Sequence, residues 1–354
     1  MPEQAASILD IGIISAVGIG ARQTAASVRA GIARISETSI YDKRFSPFTM
    51  AVLPDEVLPP LDKELEEVVG LTSRQIRMLR LASPALQEAT KGADRIGEIP
   101  LYLGVPETLP DRPKAVHDSF LEHLGTQSGV RFHVAESRLF PQGRAAGLIA
   151  LKEAMLRLAA GTVPFVLVGG VDTFVDLFLL GTLDMEDRIL GPTVMDGFVP
   201  GEGAGFLLLG SPAMVRQKGK KPFALVQSVG IGFEKGHLYS DEIYKGDGLA
   251  ESFHSAFSSI SKSVGKIRTV YAGLNGENFG AKEWGVAYMR NNDRFEEDFR
   301  LEHPVDCFGD PGAALGPMMA GIAAIGMNKG YFQGPCLAWC SSDRGDRAAA
   351  VIYY

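Results

Sequence analysis

The sequence has little of several features that would mark special classes of protein. Among its 354 residues there are three cysteines and two tryptophans. A small, odd number of cysteines excludes a secreted scaffold built on disulfides. No apolar run approaches the roughly 18 residues of a transmembrane helix, so we expect no membrane span. The N-terminal residues do not contain a basic segment followed by an apolar one. We therefore expect no signal peptide and a cytoplasmic protein.

The chain also lacks an excess of positive charge and any pattern of metal ligands. It carries 35 Lys and Arg against 42 Asp and Glu, a net charge of −7, which argues against nucleic-acid binding. Cys336 and Cys340 are four residues apart, with no second pair at metal-ligand spacing. We therefore expect no metal and no other cofactor, and we interpret these cysteines and Cys307 as buried apolar residues.

Stretches typical of strands and helices alternate along most of the chain. An apolar, β-branched run from residue 6 ends at glycines, and Leu71 to Ala93 has helical spacing with Thr72 or Ser73 as its N-cap. This alternation favours an α/β fold with helices covering the sheets. We predict one compact unit of two similar halves, 1–214 and 223–354, joined by a basic loop, Val215 to Pro222.

Several of these stretches resemble, in order, the thiolase-fold ketosynthases, the β-ketoacyl-acyl-carrier-protein synthase family. They are "DIGIISAVGIG", "LVGGVDTF", "GDPGAALGPMMAGIAAIGMNKG" and, most closely, "MDGFVPGEGAGFLLLG" from Met195 to Gly210. The resemblance implies two similar α/β halves that form layers in the order α-β-α-β-α, and usually a homodimer. In the last stretch, Gly201, Glu202, Gly203 and Gly205 match the structural part of the family motif.

The same resemblance places unexpected residues where the family has its Cys-His-His set. The nucleophilic cysteine falls on Arg144, which lies seventeen residues before Gly161, and the two histidines fall on Asn275 and Asp310. An arginine is always cationic and cannot attack a thioester. Asparagine does not exchange a proton near neutrality, and an ionised aspartate repels a developing oxyanion. No residue of the family's catalytic set is therefore assigned here with confidence.

Each of these three positions also has a purely structural interpretation. Arg144 either points into solvent, pairs with a carboxylate or binds a ligand. Because a positive charge at a helix N-terminus is unfavourable, we expect an outside partner to compensate the charge of Arg144. Asn275 before Gly276 is typical of a turn. Asp310 before Pro311 is typical of a helix N-cap, which we favour.

Two further segments bear on whether any chemistry survives. The family's glycine- and phenylalanine-rich loop falls on Ser341 to Ala348, which is charged here and unsuited to an apolar acyl tunnel. Ser137, near His133 and Glu136, reaches the nucleophile position only if the alignment is given a gap. A polar loop or strand edge is the favoured interpretation of Ser137.

Three functions remain open at this point. The first is a bacterial pseudoenzyme that serves as a scaffold or adaptor for a protein partner, a role proposed for degenerate thiolase-fold proteins beside secretion-system effector genes. The second is an altered acyltransferase or decarboxylase acting on acyl thioesters, for which an acyl-carrier protein or acyl-coenzyme A ligand has no support in the sequence. The third is a partner of an active ketosynthase, similar to a chain length factor. An Arg144→Cys variant is expected to remain folded and inactive.

Overall fold

The computed structural model describes residues 5–93, 98–108, 114–258, 260 and 264–354. The strands within these ranges are β1 Ala6–Ser15, β2 Gly18–Ile19, β3 Ser36–Tyr41, β4 Pro47–Met50, β5 Leu101–Gly104, β6 Arg138–Phe140, β7 Phe165–Thr173, β8 Glu202–Gly210, β9 Ala224–Phe233, β10 Ile267–Tyr271, β11 Phe295–Glu302, β12 Cys336–Ser341 and β13 Asp346–Tyr353. The helices are α1 Ala21–Arg29, α2 Lys63–Glu66, α3 Ser73–Thr90, α4 Phe120–Ser128, α5 Ala146–Ala159, α6 Leu177–Met185, α7 Pro212–Gln217, α8 Asp247–Ser258, α9 Asn278–Arg290, α10 Val305–Phe308 and α11 Leu315–Asn328.

The main sheet repeats one arrangement of five strands twice, with β2 paired to β1 outside this order. In the first half the spatial order is β6-β5-β7-β8-β1, and in the second half it is β11-β10-β12-β13-β9. Counted along the chain within each half, both orders are third, second, fourth, fifth, first. In both halves the fifth strand is antiparallel to its two neighbours. The two halves are therefore similar in topology, although their sequences show no repeat at the level of residues.

The two sheets join at their edges and enclose two helices. β1 pairs with β9 through a short antiparallel register from Ala6↔Val226 to Ile8↔Ala224. Helices α5 and α11 contact each other and strands of both halves, while α3 and α8 cover the outer faces of the first and second sheets. This is the layered α-β-α-β-α core that the resemblance implied, and the fold prediction is confirmed.

Close contact between α11 and the first sheet depends on residues without side chains. A Cβ atom on Gly170 of β7 would lie 2.2 Å from the carbonyl oxygen of Ala313, and one on Gly205 of β8 would lie 2.9 Å from the backbone nitrogen of Met318. Real Cβ atoms do not approach backbone atoms this closely. The glycines of the two sequence motifs therefore allow the start of α11 to pack directly on the first sheet. This end of α11 lies beside Arg144.

Local signals in the sequence located several elements well. Thr72 caps α3, its hydroxyl oxygen accepting from the backbone N–H of Gln75 while the Gln75 side chain accepts from the Thr72 N–H.

The predicted basic loop from Val215 is partly wrong, because α7 includes Val215 to Gln217. Ser211 caps this helix, and the Val215 side chain is buried. The sequence from Glu251 to Val264 is also typical of a helix; Glu251 to Ser258 lie in α8, whereas residues 259 and 261–263 lie outside the described ranges.

The division into halves 1–214 and 223–354 stays a prediction. The boundary falls between β8, which is the last strand of the first half along the chain, and β9, which is the first strand of the second half. Within the described ranges, no helix is both long and apolar enough to cross a bilayer.

We predict that Gly170→Ala destabilises the protein by about 1–3 kcal/mol or more, because the new methyl group must displace the backbone at Ala313. The free energy of unfolding measured in urea tests this. Gly285→Ala in α9 is the matched control, since nothing lies within 4 Å of its Cβ position. That variant should be neutral or more stable by about 0.5–1 kcal/mol. Equal stability of the two variants would contradict this account of the packing.

Candidate functional site

The candidate site lies where the N-terminal ends of the two central helices meet. Arg144 belongs to a short 3₁₀ turn, Gly143–Ala145, that leads into α5. Asp310 precedes the corresponding turn, Gly312–Ala314, that leads into α11. The Arg144 Nε atom donates to Asp310 Oδ2 over 2.6 Å. Arg144 is only 6% exposed and Asp310 is fully buried, so this ion pair is sheltered from water.

A second carboxylate completes the neutralisation of Arg144. Asp343, in the turn between β12 and β13, accepts from Arg144 Nη1 at 2.5 Å. Burial alone would lower the pKa of Arg144, but Asp310 and Asp343 reverse this effect and raise it above its ordinary value. The expectation of an outside partner that compensates Arg144 is therefore wrong, because carboxylates of the same chain do so. Of the alternatives left open, the ion pair is the one observed.

Arg188 extends the pair into a cluster. It lies after α6, is 6% exposed, and forms bidentate contacts with Glu277 at 2.7 and 2.9 Å. It also donates to both oxygens of Asp343, at 3.0 and 2.9 Å, and to the hydroxyl of Tyr239 at 2.8 Å. Burial would raise the pKa of Asp343, but Arg144 and Arg188 together hold it well below its usual range. Asp343 thus joins the two arginines.

Asn275 and Asp310 serve both the local backbone and this cluster. Asn275 Oδ1 accepts from the Glu277 N–H at 3.2 Å, and Gly276 has a φ of +111°, so the turn interpretation holds. The Asn275 Nδ2 atom also donates to Glu277 Oε2 at 2.9 Å and to Asp310 Oδ2 at 3.2 Å. Asp310 Oδ1 accepts from the Gly312 N–H at 2.9 Å, a contact to the 3₁₀ turn before α11. The predicted N-cap role of Asp310 is wrong, because Pro311 is the N-cap of this turn and Ala314 is that of α11. Asp310 lies one residue before the N-cap of the turn and pairs with Arg144.

An aromatic ring lies against the cluster. Both guanidinium groups face Phe198, with Cζ–centroid distances of 5.2 Å for Arg144 and 5.5 Å for Arg188. Phe198 is fully buried, and cations over an aromatic face are stabilised when they are shielded from water. These buried and half-buried polar residues form what we name the arginine–carboxylate cluster: Arg144, Arg188, Asn275, Glu277, Asp310 and Asp343.

The Gly-Glu-Gly motif lies beside the cluster and has a different role. A Cβ on Gly201 would lie 2.6 Å from the Phe308 carbonyl oxygen, and one on Gly203 would lie 2.8 Å from that of Ile14. Glu202 is fully buried and accepts from Arg77 Nε and Nη2, both at 2.6 Å. Its oxygens also accept from the Leu53 N–H and the Thr173 hydroxyl, each at 2.8 Å. Glu202 thus connects β8 to α3 and does not contact the cluster.

A small cavity opens next to Arg144. Its volume is about 70 Å³, and charged and polar groups around it include Arg74, Glu107, Arg144, Asp172 and Asp343. Small-molecule sites usually enclose about 300–1,000 Å³, so this space is too small for a long acyl chain. The charged segment from Ser341 to Ala348 forms one wall through Asp343, which agrees with its unsuitability for an apolar tunnel.

Glu107, which lies in the wall of this cavity, has a raised pKa. Burial, reinforced by the negative charge of Asp343, raises its pKa to about 7, although Arg144 opposes the shift. Its Oε1 atom accepts from the backbone N–H of Arg344 at 3.2 Å. Within the cavity Asp172 is paired with Arg74 at 2.8 Å and Asp343 with the two arginines, whereas no described residue forms an ion pair with Glu107.

The other nucleophile candidates are held in structural roles. Ser137 Oγ accepts from the Leu101 N–H and donates to the His133 carbonyl, both at 2.8 Å. Its hydroxyl thus connects the start of β5 to the segment before β6. Cys307, Cys336 and Cys340 are buried and unpaired, and burial raises the pKa of each thiol. No group of three or more His, Cys, Asp or Glu side chains is placed to hold a metal ion in the part of the chain that the structure describes.

Sequence reasoning did not identify Arg188, Glu277, Asp343 or Glu107. One signal for Asp343 was present, because a buried arginine requires carboxylates and the segment from Ser341 was noted as charged. Glu277 follows the Asn275-Gly276 turn directly. For Arg188 and Glu107 we find no signal in the sequence.

We predict that Arg144→Gln lowers the free energy of unfolding by about 3–5 kcal/mol, because it leaves Asp310 buried without its cation. Urea denaturation at neutral pH measures this. The control is Arg138→Gln, which breaks the exposed Arg138–Glu153 pair and should cost about 0–1 kcal/mol. Similar losses for the two variants would contradict the buried-pair account. By the same reasoning we expect Arg144→Cys to lose stability as well, and that this variant remains folded and inactive stays a prediction.

We predict that Glu107→Gln changes how stability depends on pH. The folded-state pKa of Glu107, about 7, lies above its ordinary value, so its contribution is fully present at low pH and is lost as pH rises through 7. The variant should therefore gain up to about 3 kcal/mol relative to the wild type between pH 5 and pH 8. Denaturation series at these pH values test this, and a constant difference between the two proteins would argue against it.

Several solved structures are similar to this chain over nearly its whole length, whereas no family model and no curated protein matches the sequence. A chain of AntDE:AntF, a type II PKS acyl-carrier protein in complex with its ketosynthase bound to the hexaketide, is 17% identical with a TM-score of 0.77, and 99% of each chain is covered. The ishigamide ketosynthase/chain length factor is 18% identical with a TM-score of 0.75, and 99% of this chain and 100% of that one are covered.

A ketosynthase from module 6 of the bacillaene synthase from Bacillus subtilis 168 is 13% identical with a TM-score of 0.78, and 98% of this chain and 72% of that one are covered. Identities this low establish the fold and nothing about chemistry. This chain therefore has the thiolase-like fold of ketosynthases and chain length factors.

Proposed function

We propose that this chain is a ketosynthase-like protein that does not condense acyl thioesters and that acts by binding another protein. The observation that carries the proposal is Arg144, which lies where the resemblance places the nucleophile. Its guanidinium is buried and held between Asp310 and Asp343. A thiolate near a helix N-terminus is a nucleophile, whereas a guanidinium has no lone pair available for attack.

The other two altered positions support the same conclusion. Asn275 and Asp310 hydrogen-bond to each other at 3.2 Å, and Asp310 is already engaged with Arg144 and with the Gly312 N–H. Neither group is free to donate a hydrogen bond to a thioester oxygen, and a carboxylate at this point opposes an oxyanion. The cavity of about 70 Å³ also leaves little room for an acyl thioester, which weakens the case for an altered acyltransferase or decarboxylase.

Without condensation, we propose that the protein acts through the surface of its thiolase-like fold. We propose a homodimer, for which the sheet offers β6 as an end strand in the first half. End strands carry backbone groups that can pair with another chain. A bacterial secretion-system effector is the class of protein partner that the resemblance brings forward, and the cytoplasm is the proposed compartment.

A second candidate function is a partner of an active ketosynthase. It is favoured by the similarity to the ishigamide ketosynthase/chain length factor, which extends over the full length of both chains. In this case the protein would form a heterodimer with a ketosynthase instead of binding an unrelated protein. The two candidates differ in the identity of the partner and agree on the absence of condensation.

We predict that long incubation with acyl-coenzyme A or with cerulenin leaves the intact mass of the protein unchanged, because no described thiol or hydroxyl near Arg144 is available for acylation. An active ketosynthase treated in parallel serves as the positive control. Acylation of Ser137 or Cys307 would overturn the proposal of a non-catalytic protein.

The partner is tested by affinity purification of the tagged protein from its native host, followed by reconstitution of the pair from purified components and sedimentation. A stoichiometric complex with a protein other than a ketosynthase supports the scaffold function. A complex with a ketosynthase supports the second candidate instead. A protein that stays alone and monomeric would contradict both.

A further inference from the structure

A groove at the C-terminal end of α11 lies away from the arginine–carboxylate cluster. The cluster surrounds the start of α11, and this helix of 14 residues extends about 20 Å to its last residue, Asn328. Met327 and Gly330 form part of the groove, and its volume is about 530 Å³. Binding sites for small ligands usually enclose about 300–1,000 Å³, so the groove has room for several side chains of another molecule.

The charged side chains in this groove are all basic. They are Lys266 and Arg268, and in the part of the chain that the structure describes no Asp or Glu side chain lines the groove. Ile267 between them is only 1% exposed, so the side chains of Lys266 and Arg268 both point away from the core, on the same side of the chain. On a protein with a net charge of −7, such a group of cations is complementary to a negatively charged partner.

Neither cation is neutralised by a close carboxylate. Lys266 is exposed and forms no ion pair with a described residue. Arg268 donates from Nη1 to Gln333 Oε1 at 2.7 Å, and this neutral amide leaves the positive charge in place. Its Nε atom lies 3.9 Å from Glu296 Oε1, and because both side chains are partly exposed this pair contributes little. Both cations are therefore available to a ligand.

The basic stretch from Val215 to Pro222 adds a third cation. The Nζ atom of Lys221 lies 5.7 Å from the ring centroid of Tyr354. Tyr354 itself lines the groove. Lys221 thus extends the positive charge along the rim.

Aromatic side chains form the apolar part of the groove. Phe332, Tyr353 and Tyr354 line it together with Met327. Tyr354 is 48% exposed, so part of this surface faces solvent. Tyr, Phe, Met and Arg are residue types that are enriched in protein–protein interfaces. The lining residues used below are named the basic groove: Lys266, Arg268, Met327, Phe332, Tyr353 and Tyr354.

We propose that the basic groove binds a segment of the partner protein in which two carboxylates flank an apolar side chain. The carboxylates contact Lys266 and Arg268, and the apolar side chain packs on the aromatic rings. This proposal rests on the proposed function, because it requires a protein partner. Two acidic residues separated by one residue in an extended segment suit the two cations, which are likewise separated by one residue on the same side of the chain.

The position of the groove favours carboxylates over a phosphate group. Phosphate sites commonly use the N-terminus of a helix, where backbone N–H groups and partial positive charge meet the anion. Here Met327 and Gly330 bring the C-terminal end of α11 to the groove, and a helix C-terminus carries partial negative charge. This end repels a compact dianion in the groove, whereas it does not repel an apolar side chain.

The test uses isothermal titration calorimetry with the peptide acetyl-Gly-Glu-Phe-Glu-Gly-amide and a matched peptide with glutamine in place of both glutamates. At low salt the wild type should bind the glutamate peptide about tenfold or more tightly, because the glutamine peptide lacks the two charge-assisted contacts. The combined variant Lys266→Gln and Arg268→Gln should remove this preference. The combined variant Lys63→Gln and Lys282→Gln, which removes two exposed lysines of α2 and α9, should preserve it. Tyr354→Ser should weaken the binding of both peptides.

A second measurement does not depend on any variant. A carbodiimide couples a bound carboxylate to a neighbouring lysine amine, taking up the water that is released, and mass spectrometry then locates the linked lysine. The glutamate peptide should be joined mainly to Lys266 and Lys221, with much less at the other lysines.

Equal binding of the two peptides, no binding of the glutamate peptide at millimolar concentration, or coupling spread evenly over the lysines would each overturn the proposal. Displacement of the peptide by inorganic pyrophosphate at a lower concentration than the peptide itself requires would identify a phosphate site and would also overturn it. A partner from the native host that binds the Lys266→Gln and Arg268→Gln protein as tightly as the wild type would overturn it while leaving the proposed function intact.

Discussion

The arrangement of this molecule's centre depends on one ion pair, Arg144 with Asp310, at the place where two helices begin. A helix N-terminus carries partial positive charge, so an arginine there is unfavourable unless carboxylates surround it. Here Asp310 supplies the nearest charge, and Asp343 supplies a second one that Arg144 shares with Arg188. Because the group is removed from water, each charge needs the others, and the turns that carry them are fixed relative to one another.

The interactions that neutralise this centre also carry the proposal that it is not catalytic. In the thiolase-like fold, the start of a central helix can hold a group where a substrate carbonyl would meet it. In this chain the same location is filled by side chains that satisfy one another, and the nearby cavity is small. This is why we propose recognition of another protein in place of catalysis.

The sequence predicted the framework better than the site. Regular patterns located β1 and α3, and the ordered motifs indicated the layered fold. Helix α6 was missed because its residues are apolar on nearly every side, which hides helical periodicity. The ion pairs of Arg144 were not assigned for a different reason: Asp310 and Asp343 are 166 and 199 residues away along the chain, and no local pattern connects them. Ion pairs between distant segments are set by topology, and a single sequence does not show them.

The position of Asp343 has a consequence for how the molecule is made on the ribosome. Arg144 precedes Asp343 by 199 residues along the chain, so the ribosome makes Arg144 and α5 well before the hairpin of β12 and β13 that carries Asp343. Until this hairpin has been made, the Arg144 guanidinium cannot be buried between both of its carboxylates. We therefore expect the centre around α5 to reach its final packing only after the second half has folded against the first.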